Sequence, residues 1–182
     1  MSKQHELPSA AAERAYKAGE QTMSIIEMAE RVRDQNPGRD WDMRAGAFLW
    51  WMFWAKGRDS GEATPSFATV RDAMLQSGYT GRDELGDHFR EEDAPIGAIH
   101  WYASISDGLN VGMAAIDLGP MGLITTGQGV DNRFGKSLGF ISRAQMKLFY
   151  PAYLGWSLDY AGSDPLVADL VLFRGDAMGG AR

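Results

Sequence analysis

The sequence predicts an α+β protein in which a buried helix packs on an antiparallel sheet, with a further helix at the N-terminus. Residues 45–56 read AGAFLWWMFWAK, an apolar run without a polar face, which is typical of a helix enclosed in a core. After residue 95 the chain changes to short apolar runs separated by Asp107-Gly108 and Gly119-Pro120, which are hairpin signals. The 22 glycines among 182 residues favour the many turns that such a meander needs.

The first helix is expected over residues 9–35, where Ala, Glu, Met and Lys dominate. Met23 and Val32 belong to its apolar side, and Asn36-Pro37-Gly38 ends it. We interpret it as an ordinary packing helix, with an arm that docks on a partner as the alternative. The chain is therefore divided into an N-terminal extension (1–38), a central domain (39–162) and a C-terminal tail (163–182).

The remaining elements follow from local signals. Further helices are expected at residues 44–56, 65–76 and 143–150, and strands at 97–105, 111–118, 121–126 and 153–158. Thr64-Pro65 supplies an N-cap and a first helical residue to the second of these helices. Ser142 and Gln145 form a capping box before the last one. Residues 127–139 are rich in glycine and are expected to form a loop.

Composition excludes several classes of function. The chain has no cysteine, so it has no disulfide, no thiolate metal site and no thiol nucleophile. Its three histidines, His5, His88 and His100, are too widely spaced to predict a metal site, and we expect no metal and no cofactor. A net charge of −6 argues against nucleic acid as the main partner. Neither a signal peptide nor a membrane span is expected, because no apolar run approaches about 20 residues.

Four segments carry a resemblance to a known family. They are residues 41–49 (WDMRAGAFL), 94–101 (APIGAIHW), 112–119 (GMAAIDLG) and 153–157 (YLGWS). They resemble the NlpC/P60 and CHAP group of papain-like peptidases and amidases, in particular the versions found in phages of actinobacteria. The resemblance covers about residues 41–160, and it implies a papain-like core in which the central helix carries the nucleophile and the sheet carries the base.

That family's chemistry needs a thiolate at a helix N-terminus, a histidine that takes its proton, and a polar group that orients the histidine. Carried over to this chain, the nucleophile position is Ala45 and the base position is Met113. Thr125 or Thr126 lies near the position of the orienting residue. Neither alanine nor methionine can attack a carbonyl or move a proton, and a shift of the alignment by one residue would bring Arg44, which is no more competent. Two vacated positions favour natural loss of the site over a single engineered substitution.

Other residues are candidates for a groove that binds a peptide or a glycan, with core packing as the alternative. They are Trp41, Trp50, His100, Trp101, Thr125 and Trp156. His100 has a second interpretation, as a relocated base beside Ser104 or Ser106, although same-face residues on a strand lie about 6.5–7 Å apart. A core histidine bonded to backbone is the preferred interpretation. Residues 129–137 resemble a phosphate loop but have one residue too many between the first glycine and Gly135-Lys136-Ser137.

These observations lead us to expect a non-catalytic phage protein, a structural or binding module of the virion or its tail, built on a degenerate papain-like fold. The expected partners are other phage structural proteins or a host protein, with peptidoglycan or peptide as a ligand of the vacated groove, and the protein is expected in the virion or the host cytoplasm, where it can form an oligomer. The alternatives are a regulator or inhibitor of a host protein and a cell-wall hydrolase that uses unrecognised residues.

Overall fold

The computed structural model describes residues 10–58, 70–77, 90–104 and 112–168. In chain order the elements are α1 (Ala10–Gln35), α2 (Ala45–Phe53), α3 (Val70–Gln76), β1 (Ile99–Ala103), β2 (Gly112–Asp117), β3 (Leu123–Thr126), β4 (Leu138–Ile141), α4 (Arg143–Phe149) and β5 (Ala152–Ser157). Single 3₁₀ turns lie at Glu91–Asp93 and Gly119–Met121. The predicted α+β class is confirmed.

The five strands form one antiparallel sheet in the order β4-β3-β2-β1-β5. The central strand pair sets the register of the sheet, with His100 opposite Ala115 and Tyr102 opposite Met113. Strand β5 returns to the far side of β1, where Trp156 lies opposite His100. Because side chains alternate between the two faces of a strand, His100, Tyr102 and Met113 share one face of the sheet.

The other face of the sheet is covered by α2 and α3, and α1 packs against α2. Phe48, Leu49, Met52 and Phe53 of α2 are all buried, as the apolar run predicted. They belong to one hydrophobic cluster with residues of all four strands β1–β4 and with α1. Each such side chain contributes about 1.5–3 kcal/mol by leaving water, so this cluster is the main source of the fold's stability.

Helix α1 is part of that same cluster. Ile25, Ala29 and Val32 are buried in it, and Ala18 lies at its edge. The inner side of the helix therefore packs as an ordinary packing helix would, and the division of the chain at residue 38 stays a prediction. Leu166 and Val167, beyond residue 162, also pack on this cluster.

A smaller cluster lies on the opposite face, the one that carries His100. It consists of Tyr102, Met113, Ala115, Leu123, Val130, Ile141 and Met146. Helix α4 contributes Met146, its only buried residue. The predicted capping box is present, because the Ser142 hydroxyl accepts from the Gln145 backbone N–H and the Gln145 side chain accepts from the Ser142 backbone N–H.

Strand β4 differs from the prediction, which placed residues 127–139 in a loop. Leu138 and Gly139 belong to the strand, which pairs with β3. The loop before it folds back on the strand: the Asp131 backbone N–H donates to the Phe140 carbonyl, and its carboxylate accepts from the Phe140 backbone N–H. A Cβ on Gly139 would come within 2.3 Å of the Asp131 carboxylate oxygen. Gly139 is therefore a strand residue whose missing side chain allows Asp131 to approach the backbone closely, and it does not indicate an irregular loop.

Several predicted bounds fall on residues outside the described ranges. These are the start of the 65–76 helix, strand residues 105 and 111, the Asp107-Gly108 turn, and the tail beyond residue 168. Where the described ranges reach, α3 ends at Gln76 as expected, and Met121 lies in a 3₁₀ turn instead of the third strand.

Candidate functional site

The two positions matched to the lost nucleophile and base both lie at the smaller cluster. Ala45 is the first residue of α2 and packs, partly buried, against the cluster that contains Met113. The Met113 side chain is buried, and its Cε lies 3.1 Å from the point that a Cβ of Gly127 would occupy. Met113 thus puts an apolar group at the position carried over as the base, with the Asp42 carboxylate 4.0 Å from the same point.

The two threonines assigned to the orienting position are buried on β3. The Thr125 hydroxyl donates to the Ala114 carbonyl at 2.7 Å, so it ties β3 to β2. The Thr126 hydroxyl has no hydrogen-bond partner among the described residues. Neither hydroxyl has an imidazole to orient, because the residue carried over as the base is a methionine.

The aromatic candidates for a groove are buried in the described structure. Trp41 meets Phe48 edge-on at 6.1 Å between ring centroids, and Trp50 meets Trp51 in the same way at 5.2 Å. The indole N–H of Trp101 donates to the Ser157 hydroxyl. The indole N–H of Trp156 donates to the Arg90 carbonyl. These four rings act as packing groups here, because a ring that stacks on a sugar or peptide must be exposed.

His100 is the centre of a side-chain network that the sequence did not predict. It is 0% exposed, and both ring nitrogens have side-chain partners, whereas backbone partners were expected. Nε2 lies 2.6 Å from Oδ2 of Asp117, and Nδ1 lies 2.9 Å from the hydroxyl of Tyr153. An arrangement of hydroxyl, imidazole and carboxylate in this order is the one used to activate a nucleophile. Here the imidazole has no free nitrogen for Ser104, and Ser106 lies outside the described residues.

Asp117 connects His100 to helix α4. Its carboxylate accepts from the Arg143 guanidinium at 2.5 Å and from the Gly119 backbone N–H at 2.5 Å. Three donors, including the imidazole, thus surround one buried carboxylate. With Nε2–H donating to Asp117, Nδ1 is left to accept the proton of the Tyr153 hydroxyl.

Glu91 forms the second acidic centre of the network. Its carboxylate accepts from the Tyr102 hydroxyl at 2.6 Å and pairs with Lys147. Burial acts to raise the pKa of Glu91, but the hydrogen bonds from Lys147 and Tyr102 outweigh it and hold that pKa below its usual range. Burial, followed by the bond to Glu91, raises the pKa of the Tyr102 phenol. Tyr102 therefore stays a neutral donor.

A cavity of about 320 Å³ opens beside this network. Its charged lining residues are Glu91, Glu92, Asp117 and Arg143. Asp117 and Arg143 are already paired with each other, and Glu91 is paired with Lys147. The cavity walls are thus held by internal ion pairs.

Sequence reasoning named His100 but missed Tyr102, Glu91 and Arg143. An aspartate two residues before Gly119 is ordinarily a solvated turn residue. The cap of the Gly119 backbone N–H fits a turn role, but the Asp117 side chain is 2% exposed. An aspartate at the end of an apolar strand, on the same face as a strand histidine, was the signal that pointed to a buried pair.

Among the residues that the structure describes, no cluster of three or more histidine and acidic side chains is suited to hold a metal ion. Within the same ranges, no helix combines the length and the apolar character needed to cross a bilayer.

Comparison with protein-family models, with curated proteins and with solved structures finds no match to this chain.

Proposed function

We propose that this chain is a non-catalytic structural or binding module of a bacteriophage virion, associated with the tail, on a degenerate papain-like fold. The phage assignment rests on the sequence resemblance. The non-catalytic assignment rests on the absence of cysteine from the whole chain and on two apolar residues where the resemblance expects the reacting pair. Its partners would be other proteins of the particle.

The observation that carries the proposal is that Met113 belongs to an apolar cluster against which Ala45 also packs. A helix begins at Ala45, as it would at the nucleophile of a papain-like enzyme, and the residue packs against the cluster that includes Met113. Catalytic side chains are polar and accessible to the substrate, whereas Ala45 and Met113 are apolar and pack against other side chains. Neither of these two side chains can transfer a proton.

The virion role is tested on particles. We expect the protein to remain with purified virions through a density gradient and a high-salt wash, at a constant ratio to a tail protein in quantitative mass spectrometry. Its absence from washed particles, with the protein present in the lysate, would count against a virion role and favour the regulator of a host protein.

The assignment of the vacated positions is tested by rebuilding them. We expect Ala45→Cys with Met113→His to react with iodoacetamide about tenfold faster at neutral pH than Ala47→Cys with Met113→His, because a helix N-terminus and an imidazole both stabilise a thiolate. Ala47 is the matched control, since it is also partly buried on α2. Equal rates in the two variants would show that position 45 does not face position 113.

The hydrolase alternative is favoured by one observation, the hydroxyl–imidazole–carboxylate order of Tyr153, His100 and Asp117. Against it stands the complete burial of the imidazole. We expect no release of fragments from peptidoglycan or from peptide substrates. Activity that disappears in His100→Ala would overturn the non-catalytic proposal.

A further inference from the structure

Helix α4 is held to the sheet with little apolar contact. It has seven residues, of which Met146 alone is buried. Leu148 and Phe149 are 80% and 42% exposed. A helix of two turns is not stable by itself in water, so its position depends on what ties it to its surroundings.

Two cations make those ties. Arg143, the first residue of α4, donates to the carboxylate of Asp117 and to the Gly119 carbonyl. Lys147, one turn later, pairs with Glu91. Because both basic residues lie on the same side of the helix, α4 bridges the end of β2 and the 3₁₀ turn at 91–93.

The same helix covers apolar surface. Met146 packs in one cluster with Met113, Val130 and Ile141, all of them buried. Phe149 lies over Gly129, where a Cβ would come within 2.6 Å of its ring. Movement of α4 away from the sheet would therefore uncover this smaller cluster.

The two ion pairs that hold α4 require both carboxylates in their ionised form. Glu91 and Asp117 carry two negative charges, and Arg143 and Lys147 carry two positive ones. The other titratable groups that face this site are His100, Tyr102, Tyr153, Glu92 and Asp93. A proton on Glu91 removes the negative partner of Lys147, and a proton on Asp117 leaves Arg143 with Glu91 alone, at 4.0 Å.

The packing of the larger cluster on the other face does not depend on ionised carboxylates. Among the described residues, Asp117 is the only buried carboxylate, and the cluster formed with α1 and α2 consists of apolar side chains. Acid should therefore destabilise the face that carries α4 before it destabilises the other face.

We propose that α4 is an acid-released latch: protonation of the carboxylates that hold Arg143 and Lys147 detaches it from the sheet and exposes the apolar cluster around Met113, while the core formed by α1, α2 and the sheet stays folded. This inference is independent of the phage assignment and of the mapping of Ala45.

The lack of cysteine allows a direct test with single thiols. Met146→Cys places a thiol under the latch, and Ala29→Cys places one in the larger cluster, where the residue is also fully buried. The reaction of each thiol with a pyridyl disulfide, which proceeds in acid, is measured in the full-length protein between about pH 7 and pH 3.5 and normalised to a free thiol. We expect the rate at position 146 to rise at least about tenfold while the rate at position 29 stays within about twofold.

A variant that mimics protonated Glu91 at neutral pH distinguishes release of α4 from general acid denaturation. Glu91→Gln in the Met146→Cys background should raise the rate about tenfold at pH 7, because Lys147 loses its counter-ion. Asp34→Asn, which removes an exposed acid that pairs with Arg33 on α1, should leave it unchanged. If Met146→Cys fails to fold by circular dichroism, Val130→Cys reports on the same cluster.

Rates that rise together at positions 146 and 29 would overturn the latch, because they would show unfolding of the whole domain. A rate at position 146 that does not change with pH, or that Glu91→Gln does not raise, would overturn it as well.

Discussion

The two faces of the sheet are stabilised in different ways. On one face, α1 and α2 bury a continuous set of apolar side chains with aromatic rings at its centre. On the other, a small apolar cluster is bordered by a histidine, two acids and two bases that bond to one another. The first face draws its stability from area removed from water and the second from paired charges, which protons can disrupt.

The largest expected effect is on the apolar face. Phe53→Ala removes a buried ring from α2 and should lower the free energy of unfolding by about 3–5 kcal/mol, because a cavity remains in a well-packed core. Urea denaturation followed by circular dichroism measures the change. Phe149→Ala, at a half-exposed ring on the other face, should cost less than about 1 kcal/mol. Similar losses in both variants would contradict the contrast between the faces.

A somewhat smaller loss is expected when the ionic face loses its central charge. Asp117→Asn keeps the shape of the side chain but leaves Arg143 and His100 without their anion, and it should cost about 3 kcal/mol. The matched control is Asp131→Asn at an exposed acid that also pairs with an arginine, where the expected loss is smaller because water solvates both partners. The same urea titration compares them.

The pH dependence should come from the ionic face. Because the folded protein holds the pKa of Glu91 below its ordinary value of 4.5, the stability from this group is complete above that pH and is lost as the pH falls through the folded pKa. Glu91→Gln should therefore flatten the fall of Tm below about pH 4.5 and lower stability at pH 7 by about 1.5 kcal/mol. A wild-type slope that persists in Glu91→Gln would assign the acid sensitivity to other groups.

The smallest effect is expected at the start of α4. Ser142→Ala removes the hydroxyl that accepts from the Gln145 backbone N–H and should destabilise the helix by about 1 kcal/mol. Hydrogen exchange of the α4 amides measures this locally, and Ser142→Thr, which keeps the hydroxyl, should restore protection. Equal protection in the alanine variant would mean that the two ion pairs alone hold the helix.

Short sequence patterns predicted the elements whose bounds depend on neighbouring residues in the chain. The Ser142–Gln145 capping box gave the start of α4, and the unbroken apolar run gave α2. Strand β4 was missed because glycine-rich sequence usually indicates a loop, whereas here Gly139 allows the loop carboxylate of Asp131 to approach. That approach depends on the path of residues 131–140, which no short-range pattern encodes.

The candidate site was predictable only in part. The absence of a thiol follows from composition, and His100 was named from its position in a strand. Its partners come from β2, β5 and, through Asp117, α4, so their meeting depends on strand order and register. Trp101 and Trp156 were candidates for a groove because aromatic residues serve both cores and ligand sites, and burial is a property of the tertiary fold.

The fold-back of the loop at Asp131 has a consequence for association between molecules. An outer strand normally offers its N–H and C=O groups to another chain. On β4 these groups are taken: Phe140 bonds to Asp131 through both its N–H and its carbonyl, and Leu138 bonds to Gly135 and Phe134. The strand thus has a lateral partner within its own chain, and a second copy of the protein cannot extend the sheet at β4 without displacing residues 131–135.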